Sequence, residues 1–381
     1  GAADLQGLQQ VGRVWPASLL QSGHPLVSPT PSRSPTMQPH SALKRRELLT
    51  YAAFGSAAWA AVGQSGSASE GDASSGVAGE LATRPVYNMK KSINLWAFPY
   101  PDKMSLRQCM ELAKRAGFDG IELNYDLESD LSPQSGTAEL EAIRRMAEDI
   151  GIAISGLCSF LFWPYPLTSN DPQERARGME LAGLMTQAAH DLGTENLLVV
   201  PGAVHMPWRP EHDPTPNDVC HARARAAIEK LLPQAEKLNV HLNMENIFFN
   251  GFLMSPMEMV DFVDSFSSPY VQVHFDTGNI MEYQFPEHWI PILGQRIKNV
   301  HLKEFTKKGT DHSLEAFRPL LDGSTNWPSV LAAFQQVGYE GYLTFEYSLP
   351  AFPGSAHLPN RRFSRPHART QTGITGLFPA C

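Results

Sequence analysis

Cysteine is scarce in this sequence and dispersed. Its four cysteines, Cys109, Cys158, Cys220 and Cys381, lie far apart with no CxxC spacing, which argues against a disulfide framework and against a structural zinc knuckle. Long hydrophobic runs are missing too: nothing approaches the roughly 18 to 20 continuous apolar residues of a membrane span. Positive charge is not in excess. Lys+Arg number 31 against 39 Asp+Glu, a formal net charge of -8, so the chain as a whole lacks the basic footprint of a nucleic-acid binder. Neither GxGxxG nor GxxxxGK[ST] occurs, which removes the usual phosphate loops of dinucleotide and nucleotide folds. What remains is a globular composition, 42% hydrophobic and 18% charged over 381 residues, too apolar for a fully disordered or fibrous protein.

The ends differ from the middle. Residues 1–88 are rich in Ser, Ala, Gly and Pro and show no sustained apolar period. Within them Lys44-Arg45-Arg46-Glu47 precedes a mildly apolar run from Thr50 to Gly63 and then small residues. That order has the form of a twin-arginine (Tat) export signal over about 37–70, with Met37 as a natural start. The expectation is a disordered N-terminal extension and an exported, periplasmic protein; if the two arginines are incidental, the protein is cytoplasmic. Residues 353–381 carry Arg361, Arg362, Arg365 and Arg369 among prolines and read as a disordered basic tail.

Between them, residues 89–352 alternate short apolar runs with longer amphipathic ones. The pattern predicts strands over 92–97, 120–124, 153–158, 196–200, 240–245, 271–276, 299–303 and 341–347. Helices are predicted over 106–116, 138–150, 173–192, 218–238, 256–266, 286–295 and 328–337, punctuated by Asp171-Pro172 and Ser255-Pro256 at starts and by Gly117 and Gly338 at ends. Eight strands in strict alternation with helices predict an α/β fold, a (β/α)8 TIM barrel. No closing eighth helix is legible after the last strand.

Barrel chemistry sits at the C-terminal ends of the strands. There, strand five ends in Glu245, strand six in Asp276, strand seven carries His301 and strand eight ends in Glu346. Alternation of side chains turns these four inward and sends Met244, Phe275, Val300, Leu302 and Phe345 toward the helices. Three carboxylates and an imidazole converging in one barrel mouth repel each other without a cation. The oxygen-rich set suits Mn²⁺, with Mg²⁺ or Co²⁺ as alternatives.

These residues lie within motifs that resemble the xylose isomerase-like TIM barrels, in particular the sugar (phosphate) isomerases and epimerases typified by D-tagatose 3-epimerase and other ketose 3-epimerases. The motifs are Ala116-Gly117-Phe118-Asp119-Gly120-Ile121-Glu122-Leu123, Met244-Glu245-Asn246, His274-Phe275-Asp276-Thr277-Gly278-Asn279, Val300-His301-Leu302-Lys303-Glu304 and Gly338 to Glu346. The resemblance implies that Glu245, Asp276, His301 and Glu346 hold the metal and that Glu245 and Glu346 are also the catalytic acid–base pair. It implies proton removal beside a ketose carbonyl, an enediolate, and return of a proton to the opposite face. Two departures stand out. Asn279 occupies the place where many members have His, and Lys303, Glu304, Lys307 and Lys308 stand where an Arg is expected.

Substrate contacts are expected from Asn279, Trp163 and His205, from Lys303 on a substrate oxygen or phosphate, and from Glu122, which matches a family position. For Lys303 and Glu122 a structural pairing is the alternative. The apolar loop 160–166, with Trp163, walls the pocket or meets a second subunit of a homo-oligomer, as does 248–253. The loop 203–217, with His205, Trp208, Arg209 and His212, is a candidate lid. The leading function is a metal-dependent isomerase or epimerase of a keto sugar or sugar phosphate, its partner being that small molecule, with no nucleic acid. The alternatives are a metal-dependent lyase of inosose dehydratase type on the same scaffold and a non-catalytic sugar-binding barrel.

Overall fold

The computed structural model describes residues 87–248, 250–308 and 316–346. The expected export signal and basic tail lie outside them, as does everything after Glu346 where a closing helix would follow. Eight strands form one closed parallel barrel: β1 (Lys90–Asn94), β2 (Gly120–Asn124), β3 (Ala153–Cys158), β4 (Asn196–Val199), β5 (His241–Glu245), β6 (Val271–Asp276), β7 (Ile297–Leu302) and β10 (Tyr342–Phe345), with β10 hydrogen-bonded to both β7 and β1. The (β/α)8 barrel expected from the alternation is therefore present, with seven α-helices among the described residues. These are α1 (Leu106–Arg115), α2 (Thr137–Ile150), α3 (Pro172–Asp191), α4 (Asn217–Leu238), α5 (Pro256–Asp264), α6 (Pro286–Leu293) and α7 (Trp327–Gln336).

Local chemistry sets the boundaries. Ser105–Gln108 and Ser255–Glu258 are reciprocal capping boxes that satisfy the first free N–H groups of α1 and α5. Asp171 caps α3 ahead of Pro172, and α4 ends where Asn239 adopts φ 53. Helix α1 buries Leu106, Cys109, Met110 and Ala113, the i, i+3, i+4, i+7 stripe that packs a helix on a sheet. Phe275, predicted to face outward, does so: it lies 6.1 Å from Trp289 of α6 and 6.3 Å from Phe334 of α7, ring centre to ring centre.

Two departures from the sequence reading affect the site. The first strand begins at Lys90 and stops at Asn94, because the Asn94 side chain accepts the Trp96 N–H at 2.8 Å and turns Leu95–Ala97 into a 3-10 helix. Secondly, β7 is followed by a short antiparallel pair, β8 (Glu304–Phe305) with β9 (Phe317–Arg318), which the pattern did not anticipate.

The barrel interior is unusually polar. The Ser92 and Ser155 hydroxyls meet at 2.6 Å, and Asn196 donates to the Ser155 carbonyl while accepting from Asn243. Hydrogen bonding of this kind offsets the cost of burying polar groups, and it leads upward to the strand ends.

Candidate metal and catalytic centre

Glu245 and Asp276 end β5 and β6, His301 sits in β7, and Glu346 follows β10. Parallel register sets Asp276 beside His301, and His301 beside Thr344, two residues before Glu346. The four side chains consequently converge. The His301 Nδ1 is the focal atom: Glu346 Oε2 stands 3.3 Å from it, Glu245 Oε1 3.8 Å and Asp276 Oδ2 3.9 Å.

The donor set fits a divalent cation. His301 Nδ1, Asp276 Oδ2 and Glu346 Oε2 are all buried and make no directional hydrogen bond. Buried atoms of this kind demand a partner, and two carboxylate oxygens and an imidazole nitrogen aimed at one point are metal ligands by type. Lys303 Nζ approaches from the side, 2.9 Å from Asp276 Oδ2 and 2.5 Å from Glu346 Oε2. These are ion-pair distances without hydrogen-bond alignment, so the charge is partly balanced while the lone pairs stay available.

Supporting residues fix Asp276 and His301. The Asn246 side chain grips the Asp276 backbone twice, accepting from its N–H and donating to its carbonyl, each at 2.8 Å. Asp276 Oδ1 accepts the N–H groups of Gly278 and Asn279 at 2.8 Å, which aims Oδ2 at the centre. Glu122, expected among the substrate contacts, lies fully buried behind His301 instead. Its Oε2 is 2.6 Å from both His301 Nε2 and Asn94 Nδ2, and Asn299 Nδ2 donates to its Oε1 at 3.3 Å. This carboxylate–histidine pair holds a proton on Nε2 and turns Nδ1 toward the centre. Gly156 is what admits it, since a Cβ there would meet Asn299 Nδ2 at 2.8 Å and Glu122 Oε1 at 3.1 Å.

Charge and burial pull the titratable groups apart. Burial pushes the Glu245 carboxyl up to about 8, against the opposing pull of Lys303. Burial also raises Asp276, with Lys303 again opposing. Burial works in the same sense on Glu346, but Lys303 and His301 outweigh it and hold this carboxyl well below the usual range. The His301 imidazole is held well above its ordinary value because Glu122 and Glu346 outweigh its burial. His274 is held well below by burial and by His301, whose ring centre is 4.1 Å away.

The remaining expected contacts divide. Asn279 belongs to the centre: its Nδ2 donates to Glu245 Oε1 at 3.4 Å and its Oδ1 accepts from Lys303 at 3.2 Å. Trp163 stands one ring further out, stacked 6.2 Å from Phe248, whose ring centre is in turn 5.5 Å from Lys303 Nζ. His205 lines a cavity of about 20 Å³ with Met206, His212 and Thr215. Among the described residues, no hydrogen bond or ring contact joins it to the carboxylates.

Sequence reasoning overlooked two participants. Phe317 of β9 places its ring 5.4 Å from Lys303 Nζ and 5.6 Å from the ring of Phe248. Glu304 secures the segment behind it. This buried carboxylate accepts from Phe305 N, Leu321 N, Thr325 N, Thr325 Oγ1 and Trp327 Nε1 at 2.5–3.2 Å. The available signal was the unexplained acid directly after Lys303, where a strand end facing solvent would not need one.

Fold and site define a xylose isomerase-like barrel, and the sequence matches that family, "Xylose isomerase-like TIM barrel", over residues 110–367. The chain belongs to this family. It is 26% identical over 259 residues to L-ribulose-5-phosphate 3-epimerase UlaE of Salmonella paratyphi C, covering 66% of this chain and 86% of that one. A solved D-psicose 3-epimerase superposes with a TM-score of 0.61 at 19% identity, over 76% of this chain and 96% of the other. The 3-keto-D-glucoside 4-epimerase YcjR of E. coli superposes at 0.56 and 14% identity, over 76% and 98%.

Proposed function

We propose that the protein is a divalent-metal-dependent epimerase that inverts a carbon next to the carbonyl of a keto sugar, with Glu245 and Glu346 as the acid–base pair. It is an enzyme of the sugar isomerase and epimerase class, the class its relatives share. The observation that carries the reading is the convergence of three carboxylate oxygens within 3.9 Å of His301 Nδ1. Glu245, Asp276, His301 and Glu346 would hold the ion, Mn²⁺ by preference, with Mg²⁺ or Co²⁺ also compatible. When bound, such an ion supplies Lewis acidity beside the substrate carbonyl.

The protein's own residues do the rest. One glutamate accepts the proton from the carbon beside the carbonyl, and the electron pair of the broken C–H bond moves into an enediolate. Lys303 donates to the oxygen where negative charge collects. The second glutamate returns a proton from the opposite face, which inverts the centre and leaves the composition unchanged. Asn279, held between Glu245 and Lys303, orients both. Phe248 and Phe317 cover the mouth and exclude water from the enediolate.

The test is exchange with solvent. The Mn²⁺-loaded full chain is incubated with a panel of free, phosphorylated and glycosidic keto sugars in D₂O and followed by NMR. Deuterium beside the carbonyl, absent in Glu245→Gln and Glu346→Gln, is the expected result. An unsaturated product formed by loss of water would identify a lyase, and no exchange with metal demonstrably bound would refute proton transfer.

A further inference from the structure

We propose that Trp163, Trp208 and Phe248 form a stacking platform beside the catalytic centre for the non-reacting part of a ring-closed substrate, which makes that substrate an unphosphorylated keto-glycoside. The inference rests on the epimerase reading and narrows it.

The rings form a continuous path outward from the chemistry. Phe248 lies 5.5 Å from Lys303 Nζ, Trp163 stacks 6.2 Å beyond it at an interplanar angle of 21°, and Trp208 meets Trp163 edge-on at 5.1 Å. Trp208 is 42% exposed, a large aromatic surface that the fold itself does not use. Nor is it carried on a loose strap. Arg209, next to Trp208, donates to the carbonyls of Trp163 and Pro164 and pairs with Glu174 at the start of α3 at 2.8 Å. That guanidinium ties loop 203–217 to loop 160–166, so the platform is assembled before any substrate arrives.

The chemistry of the rim discriminates among sugars. An aromatic face complements the flat C–H face of a closed pyranose or an aromatic aglycone. An open-chain ketose presents no such face and carries a hydroxyl on every remaining carbon, each needing a polar partner that Phe248, Trp163 and Trp208 do not offer. A phosphate needs uncommitted cationic donors. Lys303 serves the reacting oxygen rather than the far end of the substrate, Arg209 is engaged as described, and Lys307 is held by the Gln284 carbonyl at 2.9 Å and the Phe285 ring at 3.6 Å.

The experiment compares methyl and phenyl 3-keto-glucopyranosides with a free ketose and a ketose phosphate, using the Mn²⁺-loaded full chain and its Trp208→Ala and Trp208→Phe variants. The expected kcat/KM is about tenfold or more in favour of the glycosides. Trp208→Ala should raise the glycoside KM about three- to tenfold, the worth of one aromatic contact, with kcat nearly unchanged. Trp208→Phe should restore much of the loss. A preference for the ketose phosphate or the free ketose, with exchange still dependent on Glu346, overturns the platform and leaves the epimerase reading standing. An unchanged glycoside KM in Trp208→Ala overturns it too, including the case where that variant instead dissociates a dimer in sedimentation. Absence of exchange with every probe overturns both.

Discussion

Replacing Glu122 should weaken metal binding although this residue is not a ligand. Its carboxylate is fully buried, and its Oε2 lies 2.6 Å from His301 Nε2. Through that contact it fixes which imidazole nitrogen carries the proton and which way the ring faces. Loss of such an outer partner costs about 10- to 100-fold in metal affinity, or about 1.4–2.8 kcal/mol. Glu122→Gln keeps an acceptor but removes the charge, so it should fall near the lower figure, and Glu122→Ala near the upper. The alanine variant also strands donors on Asn94, His301 and Asn299, each costing about 1–3 kcal/mol if water does not replace the acceptor. Its folding must therefore be checked by thermal unfolding before binding is read. Calorimetric titration of Mn²⁺ into chelator-stripped protein measures the effect. Folded variants that both bind Mn²⁺ with wild-type affinity would refute the role assigned to Glu122.

Because burial raises Glu245 from 4.5 to about 8 in the metal-free protein, its stabilising contribution is present at low pH and is lost as pH climbs toward 8. Thermal unfolding of stripped protein should accordingly weaken over that window, while Mn²⁺ affinity rises over it with proton release that calorimetry in two buffers detects. Glu304→Ala removes the acceptor of five hydrogen bonds and should cost about 2–4 kcal/mol. Limited proteolysis should then cut within 316–326 faster than in the parent chain. For the proposed export signal, Arg45→Lys with Arg46→Lys should leave the protein in the cytoplasm of a Tat-competent bacterium, as cell fractionation would show.

Much of this centre was legible because strand position alone specifies it. Glu245, Asp276 and Glu346 terminate apolar runs, and a two-residue period puts them and His301 on the inner face at one height. Where the reading stopped, the missing information was a contact between distant residues. Glu122 could be placed inside the barrel, yet its attachment to His301 spans 179 positions, and nothing local distinguishes it from a pocket carboxylate. The β8–β9 pair has two residues per strand, too few to establish a period, so Phe317 and the Glu304 anchor went unseen. Asn94 illustrates a subtler limit. Its own side chain ends β1, a choice made by one hydrogen bond within an otherwise apolar run.

The two-glutamate mechanism is tested most directly by the position of deuterium at early conversion. With Mn²⁺-loaded enzyme in D₂O and an exchanging keto sugar, two bases on opposite faces place solvent deuterium in the epimerised product while recovered substrate stays protiated. Deuterium appearing equally in recovered substrate and product from the first turnovers would mean that one base serves both faces, and would contradict the roles given to Glu245 and Glu346.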